Sequence, residues 1–298
     1  VRILDEPAVP SIPAEDQRLR FAAMALLGLT GLGLAAAVLL DRLDPRVRYL
    51  SEVKDAFGME ILGMVPRLRE GRRDNSDLVF EAFRDIRMRT DFAHGTARPI
   101  VLAVTSSESG DGKTFVAANL GIAFAQLGHR TLLIDGDTRR GDLHEFFQVE
   151  RKPGLTDLLE KQGPVSVIQR TGYDNLFVIP CGSRRSSSPE LVTSGRMQQV
   201  LASVKKRYEV IILDSPPMAA GSDPFVLGAH AGNVVLVLRS GATNRDLTRA
   251  KMETFLRLPV RILGGVLNDL EKADAAVGYY RHYGYYLPDY VATEEEVS

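Results

Sequence analysis

The stretch that most restricts the fold is Ser106-Ser107-Glu108-Ser109-Gly110-Asp111-Gly112-Lys113-Thr114, set between an apolar run and an amphipathic one. Residues 100–105 (IVLAVT) read as a buried strand. Beyond the stretch, Val116, Leu120, Ala123, Phe124 and Leu127 recur at steps of three and four, and Gly128 supplies a helix cap. Strand, glycine-bearing turn and helix together make a cradle for an anion. Gly110 and Gly112 let backbone N–H groups turn inward, and the helix start adds the positive end of its dipole.

The stretch occupies the place of a phosphate loop, G-x-x-x-x-G-K-[ST]. In that reading Ser109, Gly110, Asp111, Gly112, Lys113, Thr114 and Phe115 surround the nucleotide. Lys113 reaches the β- and γ-phosphates, and the Thr114 hydroxyl binds Mg²⁺. ATP and Mg²⁺ are the expected cofactors. One position departs from the strict pattern, which wants Gly six places before the lysine, where Ser107 stands.

Further short apolar runs alternate with helical ones, at 131–135, 176–180, 210–214, 233–238 and 261–267, as in a mostly parallel α/β sheet. The fold expected is therefore an α/β P-loop NTPase domain, a mostly parallel sheet flanked by helices and preceded by one transmembrane helix. Two of the runs end in carboxylates: Asp135, with Asp137 two places on, and Asp214, followed by Ser215-Pro216-Pro217. Ligands of such sheets bind outside the C-terminal strand ends, so the three segments converge on one nucleotide. A carboxylate buried there needs a cation, and Mg²⁺ is the natural one. The alternative for each Asp is a helix cap or a turn. Lys113, Asp135, Asp137 and Asp214 are the expected catalytic set, with Thr114, Asp135 and Asp214, joined by Asp137, around the metal.

Residues 21–40 (FAAMALLGLTGLGLAAAVLL) carry no charge over twenty positions. At about 1.5 Å per residue they span roughly 30 Å, the hydrocarbon thickness of a bilayer. A signal peptide would begin nearer the N-terminus, and a core helix would show a polar face. A transmembrane helix is expected. Arg42, Arg46, Arg48 and Lys54, then Arg67, Arg69, Arg72 and Arg73, put the cytoplasm on the C-terminal side, where they can also meet anionic lipid. The first residue is Val1 rather than Met, and further sequence is expected before it on the far side of the membrane.

Charge is balanced, 37 Lys plus Arg against 38 Asp plus Glu, which excludes a dedicated nucleic-acid partner. The lone Cys181 excludes an intramolecular disulfide and a zinc knuckle. Near the C-terminus six of the nine tyrosines crowd together: Tyr279, Tyr280, Tyr283, Tyr285, Tyr286 and Tyr290. Gly278, Gly284 and Pro288 break any helical or strand period, so an exposed tail of phosphate acceptors is expected beside the ATP site, with Asp135 taking the phenol proton.

These features resemble the bacterial protein-tyrosine autokinases (BY-kinases) of capsular and exopolysaccharide assembly, in the form fused to a membrane chain-length regulator, or polysaccharide co-polymerase. Lys113 and Thr114 match the family's Walker A motif, Leu132 to Arg139 its D-x-D-x-R motif, and Ile211 to Pro217 its Walker B. Pro189-Glu190-Leu191 resembles a recurring family segment, and the tyrosines match its acceptor tail. Glu81, Arg84 and Arg87 match the E-x-x-R-x-x-R motif of subunit contacts, on the helix side away from Val79, Phe83 and Ile86. The family usually has Pro at Ser109 and Glu at Asp111.

The resemblance divides the chain into 1–18, the end of a periplasmic segment; 19–40, the membrane helix; 41–77, an Arg-rich linker; 78–275, the kinase domain; and 276–298, the tyrosine tail. It implies a kinase in the cytoplasm on the bacterial inner membrane, autophosphorylating in trans within a homo-oligomeric ring. Its implied partners are neighbouring copies, membrane lipid, the polysaccharide polymerisation and export machinery, and a cognate phosphatase. Two other readings share parts of the pattern. A ParA- or MinD-like ATPase would carry a second lysine where Glu108 stands, and a chain-length scaffold would bind nucleotide without phosphorylating tyrosine.

Overall fold

The computed structural model describes residues 18–67, 74–160, 166–184 and 188–270. The tyrosine cluster 279–290 and residues 1–17 lie outside them. The chain divides into two units, Val1–Pro45 and Arg46–Ser298.

The first unit is helix α1 (Arg18–Leu43). Its window Arg18–Leu40 has a mean hydropathy of 2.2, and it is the one helix among the described residues long and apolar enough to cross a membrane. Leu19, Leu27, Leu32 and Leu34 are exposed. The hydroxyl of Thr30 donates to the Leu26 carbonyl at 2.6 Å, so the one side-chain donor within residues 21–40 is satisfied within the helix.

The second unit runs α2 (Leu50–Phe57), β1 (Ile61–Pro66), α3 (Asp74–His94), β2 (Ile100–Ser106), α4 (Lys113–Gln126), β3 (Thr131–Asp135), α5 (Leu143–Phe147) and α6 (Leu155–Glu160). It continues with β4 (Gln169–Arg170), β5 (Leu176–Ile179), α7 (Ser188–Val192), α8 (Gly195–Val204), β6 (Val210–Asp214), α9 (Asp223–Ala231), β7 (Asn233–Arg239), α10 (Arg245–Leu256) and β8 (Arg261–Leu270). The eight strands form one sheet in the order β1-β8-β7-β2-β6-β3-β5-β4. Every pairing is parallel except β4 with β5.

Because strand side chains alternate in direction, neighbouring residues feed opposite cores. Val101, Ala103, Leu132, Ile134, Ile211 and Leu213 pack with α8, α9 and α10 residues such as Leu201, Leu227 and Phe255. Ile100, Leu102, Val104, Leu133, Val210 and Ile212 face Phe83 and Ile86 of α3 and Leu120 and Phe124 of α4. The central strands are buried on both faces, which explains their unbroken apolar runs.

The stretch 41–77, read as a linker, needs correction. Residues 61–66 form an edge strand paired with β8, and Val53 of α2 is buried beneath it in the core. The sequence I-L-G-M-V-P hid this strand, because Gly63 and Pro66 interrupt the apolar run. The glycine is required where it stands, since a Cβ there would come within 2.4 Å of Ile86. Farther back, the Val47 N–H donates to the Thr243 carbonyl at 2.9 Å, and the Gly241 N–H donates to the Val47 carbonyl at 2.8 Å. Arg46 forms a bridge with Asn244, so residues 46–48 pair with the turn between β7 and α10.

Cys181 follows β5 and is buried. Its sulfur stands 3.1 Å from an Arg151 guanidinium nitrogen, and burial pushes the thiol up to about 11.

Candidate active site

β2 ends at Ser106, and the chain turns through Ser107–Gly112 into α4. Gly110 and Gly112 have φ of 95° and 93°, a region open to glycine and strained for other residues. At Gly112 a second constraint applies: a Cβ would come within 2.1 Å of the Asn268 amide nitrogen. β3 and β6 lie side by side with Asp135 opposite Asp214, which brings their carboxylate-bearing ends to the same edge.

Lys113 is the hub. Its ammonium lies 2.9 Å from Asp137 Oδ2 and 3.9 Å from Asp214 Oδ1. The Thr114 hydroxyl donates to Asp214 Oδ2 at 2.7 Å. Asp135 accepts from the backbone N–H groups of Asp137 and Leu143, each at 3.3 Å. Asp137 Oδ1 accepts the Arg140 N–H at 3.1 Å, which shapes the turn after β3.

Three carboxylates and one ammonium share a nearly dry site, and burial sets their behaviour. Burial opposes the charge on Lys113, but Asp214 and Asp137 outweigh it and push the ammonium up to about 12. Burial, helped by the neighbouring Asp214, raises Asp135 well above the carboxylate range. Burial likewise pushes Asp214 up to about 6, against the pull of Lys113 and the Thr114 hydroxyl. Asp137 goes the other way: the adjacent ammonium overcomes its burial and holds it below the usual value.

Asp214 Oδ1 is buried and has no hydrogen-bond partner. A desolvated carboxylate oxygen left in that state favours a cation. Among the described residues, no three His, Cys, Asp or Glu side chains stand close enough to hold an ion by themselves. That donor set suits Mg²⁺, which commonly takes one or two carboxylates and completes its octahedron with phosphate oxygens and water.

Beside the loop lies a cleft of about 250 Å³ lined by Pro66, Gly110, Phe115, Arg239, Asn268 and Asp269. Asp269 joins two arginines across it, Arg67 at 2.8 Å and Arg239 at 2.7 Å.

Comparison with known proteins gives this geometry a family. Residues 100–234 match the family described as AAA domain. The tyrosine-protein kinase YwqD of Bacillus subtilis is 32% identical over 69% of this chain and 85% of its own length. The tyrosine-protein kinase ptk of Acinetobacter johnsonii is 27% identical over 92% of this chain but only 40% of its own. The kinase domain of the Escherichia coli tyrosine kinase ETK superposes with a TM-score of 0.68, at 30% identity, covering 74% of this chain and 94% of that one. The chain belongs to the bacterial tyrosine-protein kinases. It spans 40% of the length of ptk, so it corresponds to part of that longer protein.

In this tyrosine-protein kinase family member, the sequence-derived residues Lys113, Thr114, Asp135, Asp137 and Asp214 come together at one strand edge. Gly110 and Phe115 line the adjoining cleft. Glu81 and Arg84 stand apart, exposed on α3 and paired with each other at 2.8 Å; Arg87 is partly exposed on the same helix. Other side chains at the site escaped the sequence reading. Arg140 donates to the Ser109 hydroxyl at 3.0 Å, and its carbonyl is held by the Arg184 guanidinium. Asn268 donates to the Asp111 carbonyl at 2.9 Å. Asn268 and Asp269 sit near the end of β8, so the strand-end argument that found Asp135 and Asp214 would have found them had the strand been read beyond residue 267.

Proposed function

We propose that the chain is the membrane helix and kinase region of a bacterial tyrosine autokinase. It transfers the ATP γ-phosphate to Tyr279, Tyr280, Tyr283, Tyr285, Tyr286 and Tyr290 of a neighbouring copy. The observation that carries this reading is the meeting of Lys113 on the phosphate loop with Asp137 and Asp214 from two adjacent strand ends.

Phosphoryl transfer asks a protein for positioning and charge compensation more than for covalent chemistry. Lys113 is held between two carboxylates and stays protonated, so it can serve as a fixed cation on the phosphates. The loop amides and the N-terminus of α4 supply further positive potential. Thr114 and Asp214 would hold Mg²⁺, with Asp135 behind them; the ion, when bound, neutralises phosphate charge. The acceptor phenol gives up its proton as its oxygen bonds to phosphorus, and ADP leaves with the broken bridge oxygen. Asp135, whose affinity for a proton is raised by burial, fits the proton acceptor. The cleft past Phe115 would receive the nucleoside.

Family membership supports tyrosine as the acceptor. The tyrosine density of 279–290 supports the tail as the place. In the proposed cycle Glu81, Arg84 and Arg87 join copies into a ring, phosphorylation loosens it, and the alternation controls polysaccharide polymerisation and export at the inner membrane. A cognate phosphatase would reset the cycle.

The test is direct. The full chain, purified in detergent, is incubated with Mg-ATP, and the phosphate is mapped by mass spectrometry. Phosphotyrosine within 279–290 is expected. Free phosphate with unmodified tyrosine would instead mark a positioning ATPase, and neither product would mark a scaffold.

A further inference from the structure

The phosphate loop departs from the usual pattern at Ser107 and Asp111, and both residues are tied to a distant part of the chain. The Ser107 and Thr248 hydroxyl oxygens lie 2.7 Å apart. Asp111 accepts the Glu108 N–H at 2.9 Å through Oδ2, which closes the loop on itself. Through Oδ1 it accepts the Thr243 hydroxyl at 3.2 Å. Thr243 and Thr248 are both fully buried, and Asp111 is 3% exposed.

The Thr243 hydroxyl is committed on both sides. It accepts the Arg239 N–H at 2.7 Å, which leaves its own proton for Asp111. Thr248 also sits 2.6 Å from the Asn244 carbonyl, so its hydroxyl joins the first turn of α10 to the loop. Thr248 in the first turn of α10 thus touches the loop near its beginning, at Ser107, and Thr243 in the β7–α10 connection touches it near its end, at Asp111. A loop whose glycines give it two soft backbone positions needs such outside ties if its amides are to point at phosphate before phosphate arrives.

We propose that Thr243 and Thr248 are positioning residues that hold the phosphate loop in its nucleotide-binding shape. The proposal rests on the reading of that loop as the ATP site. Neither residue touches the phosphates; each acts through a loop residue. Valine at 243 would keep the shape of threonine and remove its proton. The buried Asp111 carboxylate would lose a donor, and recovering one means moving the loop toward water.

The test measures Mg-ADP affinity by calorimetry on the full chain in detergent, together with the melting temperature. Thr243→Val should weaken Mg-ADP about tenfold, the scale of one lost hydrogen bond to a buried charged group. Thr243→Ser keeps the hydroxyl and should return affinity to within about twofold of the parent. Thr248→Val should weaken binding in the same direction. A lowered melting temperature with unchanged affinity of the folded protein would make the threonines merely structural and overturn the proposal. Should Thr243→Val not fold, Thr243→Ala and Asp111→Asn are combined instead. Losses that overlap support the tie, and losses that add up refute it. A parent chain that fails to bind Mg-ADP would sink the nucleotide reading itself, a result distinct from either.

Discussion

Lys113→Met is expected to reduce tyrosine phosphorylation by at least 10²–10³-fold, on the order seen when one preorganised electrostatic contact is removed from a transfer site. Methionine keeps the unbranched stem but brings no charge to the phosphates. The same substitution removes the cation that stands 2.9 Å from Asp137 and 3.9 Å from Asp214. That loss need not unfold the domain. Burial already raises the proton affinity of Asp135 and Asp214, and without the ammonium they can take up protons and become neutral. The variant should therefore keep its circular-dichroism spectrum while phosphotyrosine disappears from an antibody blot. Undiminished phosphotyrosine would show that Lys113 takes no part in the transfer.

Replacing Tyr279, Tyr280, Tyr283, Tyr285, Tyr286 and Tyr290 together by Phe should leave Mg-ATP affinity unchanged and remove most of the incorporated label. Three tyrosines would remain, and they make the outcome easy to read. Tyr208 is buried, whereas Tyr49 and Tyr173 are about half exposed, at 53% and 45%. Persistent label would have to map to Tyr49 or Tyr173, and a full signal there would refute the tail as acceptor. The charge involved is large: six phosphotyrosines at −1.5 to −2 each add roughly −9 to −12 to a chain whose own formal charge is −1. Copies bearing such tails repel one another, which gives the proposed loosening of the ring a physical cause.

Much of this molecule could be read in its sequence, and the exceptions share a cause. The strands β2, β3, β6 and β7 are buried on both faces, so their apolar runs were unbroken and their ends nearly right. The acidic residues at the site were legible because they sit at those ends. β1 and the two-residue β4 lie at the sheet's edges, where burial demands less of the sequence and the pattern fades. The ties on the phosphate loop were invisible for a different reason. Thr243 is 132 residues from Asp111, and Thr248 is 141 from Ser107, so no local period or spacing relates them. What the sequence did carry was the other half of each pair. Ser107 and Asp111 stood out as departures, and each has a partner in the fold.

Cys181 offers a clock that needs no engineering. It is the chain's single cysteine, and both its burial and a thiol raised to about 11 keep it from reacting with an alkylating reagent at neutral pH until the protein opens around it. A Cβ on Gly141 would come within 2.4 Å of its sulfur, and the Gly141 turn follows directly on Asp137. The thiol therefore reports from just behind the carboxylates of the candidate site. Its alkylation rate at neutral pH, divided by that of the unfolded chain, gives the fraction of time this corner of the protein spends open. If that opening dismantles the nucleotide site, Mg-ADP at a hundred times its dissociation constant should slow alkylation about a hundredfold. A rate indifferent to nucleotide would mean that the cysteine and the phosphate loop open independently, and that the site keeps its shape while its floor breathes.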